Sequence, residues 1–88
     1  MYFVSNRPKI DKIFEKLAKK NPKQLELIAK KLEKILDNPY RFKPLSNVMK
    51  GRRRVHIDKS FVLVYSIDEQ NKTVILEDYD HHDRIYNK

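Results

Sequence analysis

Eighty-eight residues, 40% hydrophobic and 36% charged, suffice for one small domain with a single core and leave no room for a second. Twenty Lys and Arg against twelve Asp and Glu give a formal charge of +8, which favours a polyanionic or acidic partner. The absence of cysteine excludes disulfides, thiolate nucleophiles and zinc–thiolate sites, and it suits a reducing compartment.

The charge is unevenly spread: residues 1–50 carry thirteen basic and five acidic side chains, residues 51–88 seven of each. No apolar run reaches the ~18 residues of a membrane span, and the Met1 to Val4 run is too short for a signal sequence. The chain therefore reads as a complete cytoplasmic domain over 1–88, without membrane attachment.

In chain order, Tyr2 to Ser5 is a β-favouring run that ends at Asn6 and Pro8 and predicts an opening strand. Ile10, Ile13, Phe14, Leu17 and Ala18 then repeat at helical spacing and predict one buried face, with Asp11, Lys12, Glu15, Lys16 and Lys19 opposite. At Asn21-Pro22 one helix stops and another starts, because Asn21 can cap, Pro22 suits the first helical position and Gln24 stands where a capping-box partner belongs. Leu25, Ile28, Ala29, Leu32, Ile35 and Leu36 predict the buried face of the second helix, which ends at Asp37-Asn38-Pro39; Leu27 falls off that stripe and reads as exposed. Tyr40 to Asn47 has no sustained period and reads as a loop with one or two anchoring side chains.

From Arg52 the texture is β. A strand through Arg53–Asp58, a turn near Lys59-Ser60, a strand Phe61–Ile67, a polar turn Asp68–Lys72 and a strand Thr73–Tyr79 are expected to form a meander. The order β-α-α-β-β-β predicts an α+β fold, with a helical hairpin packed on one face of a largely antiparallel sheet.

Alternation along the first strand of the meander puts Val55 and Ile57 on the core side and Arg52, Arg54 and His56 on the other. That row could contact phosphates and, through His56, move a proton; it could equally be the solvated face of an ordinary half-buried sheet. Gly51 reads as a backbone requirement at a turn, beside the cation Lys50. The end of the chain, Asp78-Tyr79-Asp80-His81-His82-Asp83-Arg84-Ile85-Tyr86, is dense in titratable groups. No metal site is expected there, because neighbouring His81 and His82 would point apart in an extended strand and no separated ligand set completes one. A histidine tuned by Asp80 or Asp83 for general acid–base work, or held in purely structural hydrogen bonds, are the other readings.

Taken together, Lys43-Pro44-Leu45, Lys50-Gly51, Arg53 with Val55-His56-Ile57, Phe61 to Tyr65 and the closing His82-Asp83-Arg84-Ile85-Tyr86 carry a resemblance. The chain resembles, over nearly its full length, the RelE/ParE superfamily of type II toxin–antitoxin toxins, and most of all its histidine-bearing, YafQ-like branch. That resemblance implies a ribosome-dependent messenger RNA endonuclease that uses no metal or cofactor and drives the ribose 2′-hydroxyl onto the adjacent phosphate. It implies proton transfer by His82, proton transfer or phosphate contact by His56, and base stacking or hydrogen bonding by Tyr86. Strand parity adds Arg54 and Arg52 as cations for the phosphorane, and Lys43, Lys50, Arg53, Arg84 and His81 complete the expected RNA- and phosphate-binding set. The implied partners are an acidic antitoxin, in a hetero-oligomer, and the ribosomal A site with its messenger RNA. The sequence departs from the resemblance at Val62, Lys43 and Ser60, where one or other branch carries an arginine, a histidine and an aspartate. A branch of the same superfamily poisons DNA gyrase, and a degenerate module that only binds RNA or antitoxin is a third reading.

Overall fold

The computed structural model describes residues 1–45 and 51–87. Its elements are β1 (Phe3–Asn6), α1 (Pro8–Lys20), α2 (Pro22–Asp37), β2 (Arg52–His56), β3 (Phe61–Asp68), β4 (Thr73–His81) and α3 (His82–Tyr86). The expected α+β fold is present: two helices lie on one face of a four-stranded sheet of order β1-β4-β3-β2. β2, β3 and β4 form the meander, and β1 joins its far edge parallel to β4.

Local chemistry explains the boundaries. Asn21 accepts the Gln24 N–H at 3.2 Å, which caps α2, while Pro22 occupies its first turn. β2 ends at His56, two residues before the expected Asp58. There the Asp58 carboxylate accepts the N–H groups of Ser60 and Phe61 at 2.8 and 2.9 Å and folds the chain into a turn. β4 runs two residues further than expected, to His81, because Asp80 and His81 still pair with Val62 and Phe61. A bulge opposite Val64 and Tyr65 leaves Glu77 as the extra residue of β4. Gly51 takes φ +79° with open space where a Cβ would stand, so its requirement is conformational.

The principal core lies between sheet and helices. Ile10, Ile28, Ile35, Leu63, Tyr65, Val74 and Leu76 are essentially inaccessible there. The Tyr65 hydroxyl donates to the Pro39 carbonyl at 2.6 Å, and burial pushes its pKa up to about 12. Two expectations for α2 are corrected: Leu27 is partly buried against this core, and Ala29 is exposed. The reason is Gln24, buried with its amide donating to the Tyr79 hydroxyl, which centres the inward face on Gln24, Ile28 and Ile35. In α1 the inward face is likewise narrower than expected, and Ala18 is exposed.

On the opposite face a smaller cluster joins Val62 and Val64 of β3 to Ile85 of α3, with Leu45 packed against it. Residues 42–45 thus wrap the edge of β2. Phe42 meets the helical core and Leu45 the other side, while Leu45 N–H donates to Arg52 O at 2.8 Å and Arg54 N–H to Lys43 O at 3.1 Å. α3 lies outside the expected elements, a five-residue helix that covers part of the face left open by the hairpin.

Candidate functional site

The residues of interest converge on the face away from the helical hairpin. Arg52, Arg54 and His56 alternate along β2, and register places Val64 and Asp78 beside Arg54, and Val62 and Asp80 beside His56. The His56 end of β2 and the start of α3 therefore lie at the same end of the sheet, with β3 between them. α3 sets Ile85 down on Val62 and Val64, and this brings the Tyr86 ring over Arg54, whose Cζ stands 5.6 Å from the ring centroid. Tyr86 remains 46% exposed, so one side of the ring is available to a ligand.

The expected cations divide into distinct environments. Among the described residues, Arg54 has no carboxylate partner, whereas Arg52 stands 3.5 Å from Glu77 and Arg84 is held by Asp80 at 3.0 Å. Arg53 points to the helical side of the sheet. Its guanidinium donates to the Phe42 carbonyl at 2.7 Å and lies 5.2 Å from the Tyr40 ring centroid, so it holds the preceding loop instead of joining the row. Lys50 lies outside the described residues. Lys43 is exposed and lines a cleft of ≈ 330 Å³ at the β2 edge with Lys31, Arg41, Phe42, Arg54, Val55 and His56. Four cations and an imidazole line this hollow, a set chemically able to accept phosphate groups, although Arg41 is also paired with Asp37 at 3.2 Å. Lys31 and Arg41 were absent from the expected set. Lys31 carried a signal, since it falls three residues after Ile28 and four before Ile35, a charged residue on an inward helical face.

Glu77 organises the other end of the row. Burial alone would push its carboxyl up, but hydrogen bonds from Arg7 and Ser66, with the Arg52 charge, hold it below the usual carboxylate range. Arg7 comes from the β1–α1 junction, Ser66 from β3 and Arg52 from β2, so one buried carboxylate ties three segments to β4.

His82 begins α3 with its N–H donating to Ser60 O at 2.7 Å. Its Nδ1 lies 2.9 Å from Asp83 Oδ1, and its ring stacks on His81 with centroids 4.7 Å apart. His81 in turn accepts the Asp83 N–H on Nδ1 and meets Phe61 edge-on at 5.7 Å, and Phe61 stacks on Tyr79 at 5.5 Å. A row of rings thus runs from the core to His82. Among the described residues no hydrogen bond, ion pair or ring contact joins His56 to His82. The fold gathers Arg54, Tyr86, Lys43 and His56, sets His82 at the same sheet end, and leaves Arg53 out.

No described helix is long and apolar enough to cross a membrane. Comparison with known proteins then gives a consistent set of similarities. The model of a family described as the ParE toxin of the type II toxin–antitoxin system, parDE, matches residues 7–86. An uncharacterized protein of Methanosarcina mazei is 60% identical over 86 residues, spanning 98% of this chain and 100% of that one. A Methanocaldococcus jannaschii protein named "Putative toxin RelE4" is 52% identical over 88 residues, spanning 100% of this chain and 94% of that one. Among solved structures, a metal-bound toxin from Helicobacter pylori superposes with a TM-score of 0.78 at 26% identity, over 97% of this chain and 99% of that one.

Proposed function

Since the chain belongs to the ParE toxin family of type II toxin–antitoxin systems, within the RelE/ParE superfamily, we propose that it is the endoribonuclease kind of such toxin, cutting messenger RNA in the ribosomal A site. The observation that carries this reading is the placement of Arg54 against Tyr86, with His82 one helical turn before Tyr86. A cation, a stacking ring and an imidazole then serve one phosphodiester.

In this reaction a base takes the proton of the ribose 2′-hydroxyl, whose oxygen attacks the adjacent phosphorus. The P–O5′ bond breaks, an acid protonates the leaving 5′-oxygen, and the products are a 2′,3′-cyclic phosphate and a 5′-hydroxyl. His82 is the proposed proton-transfer group, with His56 as its counterpart or as a phosphate contact. Arg54 carries no competing carboxylate among the described residues, and with Lys43 and Lys31 it would offset the charge that develops on the phosphorane, while Arg41, paired with Asp37, would contribute less. Tyr86 offers its ring to a base. Arg52 and Arg84, already paired with Glu77 and Asp80, would contribute less.

The toxin would act in the cytoplasm and be held in check by an acidic antitoxin, which the +8 charge supports. The similarity to a metal-bound toxin adds a second ligand class, a metal ion, for which His81, His82 and Asp83 are the described residues with suitable donors.

The test is primer-extension mapping of messenger RNA in a translating extract. The parent should produce discrete cuts that require ribosomes, and His82→Ala should lower the rate by about 10²–10⁴-fold. Undiminished cutting by that variant would sink the assignment. The matched family description favours keeping one alternative, a toxin that poisons DNA gyrase; inhibition of supercoiling by purified protein, without RNA cleavage, would select it.

A further inference from the structure

We propose that His81, His82 and Asp83 form a divalent transition-metal site whose occupation switches RNA cleavage off, an inference whose inhibitory half rests on the ribonuclease reading above. The expectation of diverging neighbours fails here for a geometric reason. β4 ends at His81, which adopts φ −58° and ψ 141°, and His82 is already the first residue of α3. The chain turns between them, so the two rings stack with an interplanar angle of 29° instead of leaving opposite faces of a strand. The following residue then brings one carboxylate to both rings. Asp83 Oδ1 lies 2.9 Å from His82 Nδ1, and Asp83 Oδ2 lies 3.7 Å from His81 Nδ1. His81 Nδ1 also accepts the Asp83 N–H at 3.2 Å, and would exchange that bond for an ion or leave the ion to its other ring nitrogen.

Donor atoms of the three residues all lie within 4.8 Å of one another. Around a tetrahedral ion with bonds of about 2.0–2.1 Å, donors stand about 3.4 Å apart, so the widest pair must close by up to about 1.4 Å, shared between two side chains. Partly exposed side chains can supply that: His81 is 36% exposed, His82 40% and Asp83 69%. Two imidazoles and a carboxylate suit zinc, nickel or copper better than magnesium or calcium. The nearest competing cation on α3, Arg84, is held by Asp80, which leaves the Asp83 carboxylate to the histidines. With three protein donors at the surface, the remaining positions go to water, and such a site exchanges its metal instead of building the fold.

The consequence follows from the chemistry of His82. A metal bond uses an imidazole lone pair and fixes the ring, whereas proton transfer needs a nitrogen that can take up and release a proton. Metal and reaction therefore compete for one residue. The metal is an inhibitor of this toxin and not its cofactor.

Zinc chloride titrated into the purified full-length protein, followed by calorimetry and by the histidine ring signals in NMR, should reveal one equivalent bound. His81→Ala and Asp83→Asn should each weaken binding by about tenfold or more, with retained circular dichroism, whereas His56→Ala should bind as the parent does. In the ribosome cleavage assay the parent should lose activity as zinc rises and regain it with a zinc-selective chelator. Asp83→Asn, measured against its own zinc-free rate, should lose far less. Equal zinc affinity in the parent and both variants would overturn the site. Zinc-loaded protein that cuts as fast as the zinc-free form would overturn the inhibitory role, and site-specific zinc binding by a protein that cuts no RNA would overturn that role together with the ribonuclease reading while upholding the site.

Discussion

At the scale of single residues, the decisive contrast is among the three consecutive arginines of β2. Arg53 spends its guanidinium on the carbonyl of Phe42 and the Tyr40 ring, Arg52 stands near Glu77, and Arg54 faces the Tyr86 ring without a carboxylate among the described residues. Identical side chains thus have different chemistry because their neighbours differ. If the Tyr86 ring serves as a stacking platform, its hydroxyl is dispensable. Tyr86→Phe should then cleave messenger RNA at close to the parental rate, and Tyr86→Ala should lose about tenfold or more, in line with the ~1–3 kcal/mol of a base–aromatic stack. A Phe variant as impaired as the Ala variant would transfer the role to the hydroxyl. The expectation for Arg52, Arg54 and His56 as one outward row was readable from alternation alone, but which of them is free of a carboxylate was not. Arg52 meets Glu77, the extra residue at the bulge in β4, and no periodicity announces that bulge.

At the scale of elements, Glu77 is the fastening that joins the β1–α1 junction, β2 and β3 to β4. Its side chain is 6% exposed and its partners Arg7 and Arg52 are 54% and 38% exposed, so solvent screens part of the attraction. Glu77→Gln should destabilise the protein at neutral pH by about 1–2 kcal/mol, below the full penalty for breaking a fully buried pair. The sign with pH is fixed by the depressed folded-state pKa. The contribution is fully present above the unfolded value of 4.5 and fades as pH falls through the lower folded value. Urea unfolding at neutral pH and at about pH 3 should therefore show the gap between parent and Glu77→Gln narrowing in acid. A constant gap would mean that shape and not charge is the cause. Elsewhere, Glu69, which gathers Lys72, Tyr40 and Tyr2 and is thereby lowered to about 2, keeps its charge further into acid. α3 shows the limit of reading elements from sequence. Its five residues are too few for a period, and at its start the His81 ring accepts the Asp83 N–H.

At the scale of the whole molecule, the basic excess lies on the first fifty residues, and the lysines of the helical hairpin are mostly exposed. The face that carries Arg54 and Tyr86 and this basic surface lie on opposite sides of the sheet. Electrostatic attraction to ribosomal RNA would then speed encounter without touching the chemistry. Reversing Lys16 and Lys19 to glutamate should slow ribosome-dependent cleavage severalfold at low salt, and the deficit should shrink as ionic strength rises from about 0.05 to 0.3 M. An equal deficit at every salt concentration would point to a direct contact instead. The sequence by itself determined the two amphipathic helices, the Asn21-Pro22 junction, the three-strand meander and the outward parity of Arg52, Arg54 and His56, because each is written in a local period or a capping residue. Only the tertiary structure decided that β1 closes the sheet beside β4, that Lys31 enters the cleft, that Arg53 serves the loop and that His81 and His82 converge. Those outcomes depend on register, a one-residue bulge and a turn between strand and helix, and they bring together residues whose separation along the chain carries no period to reveal it.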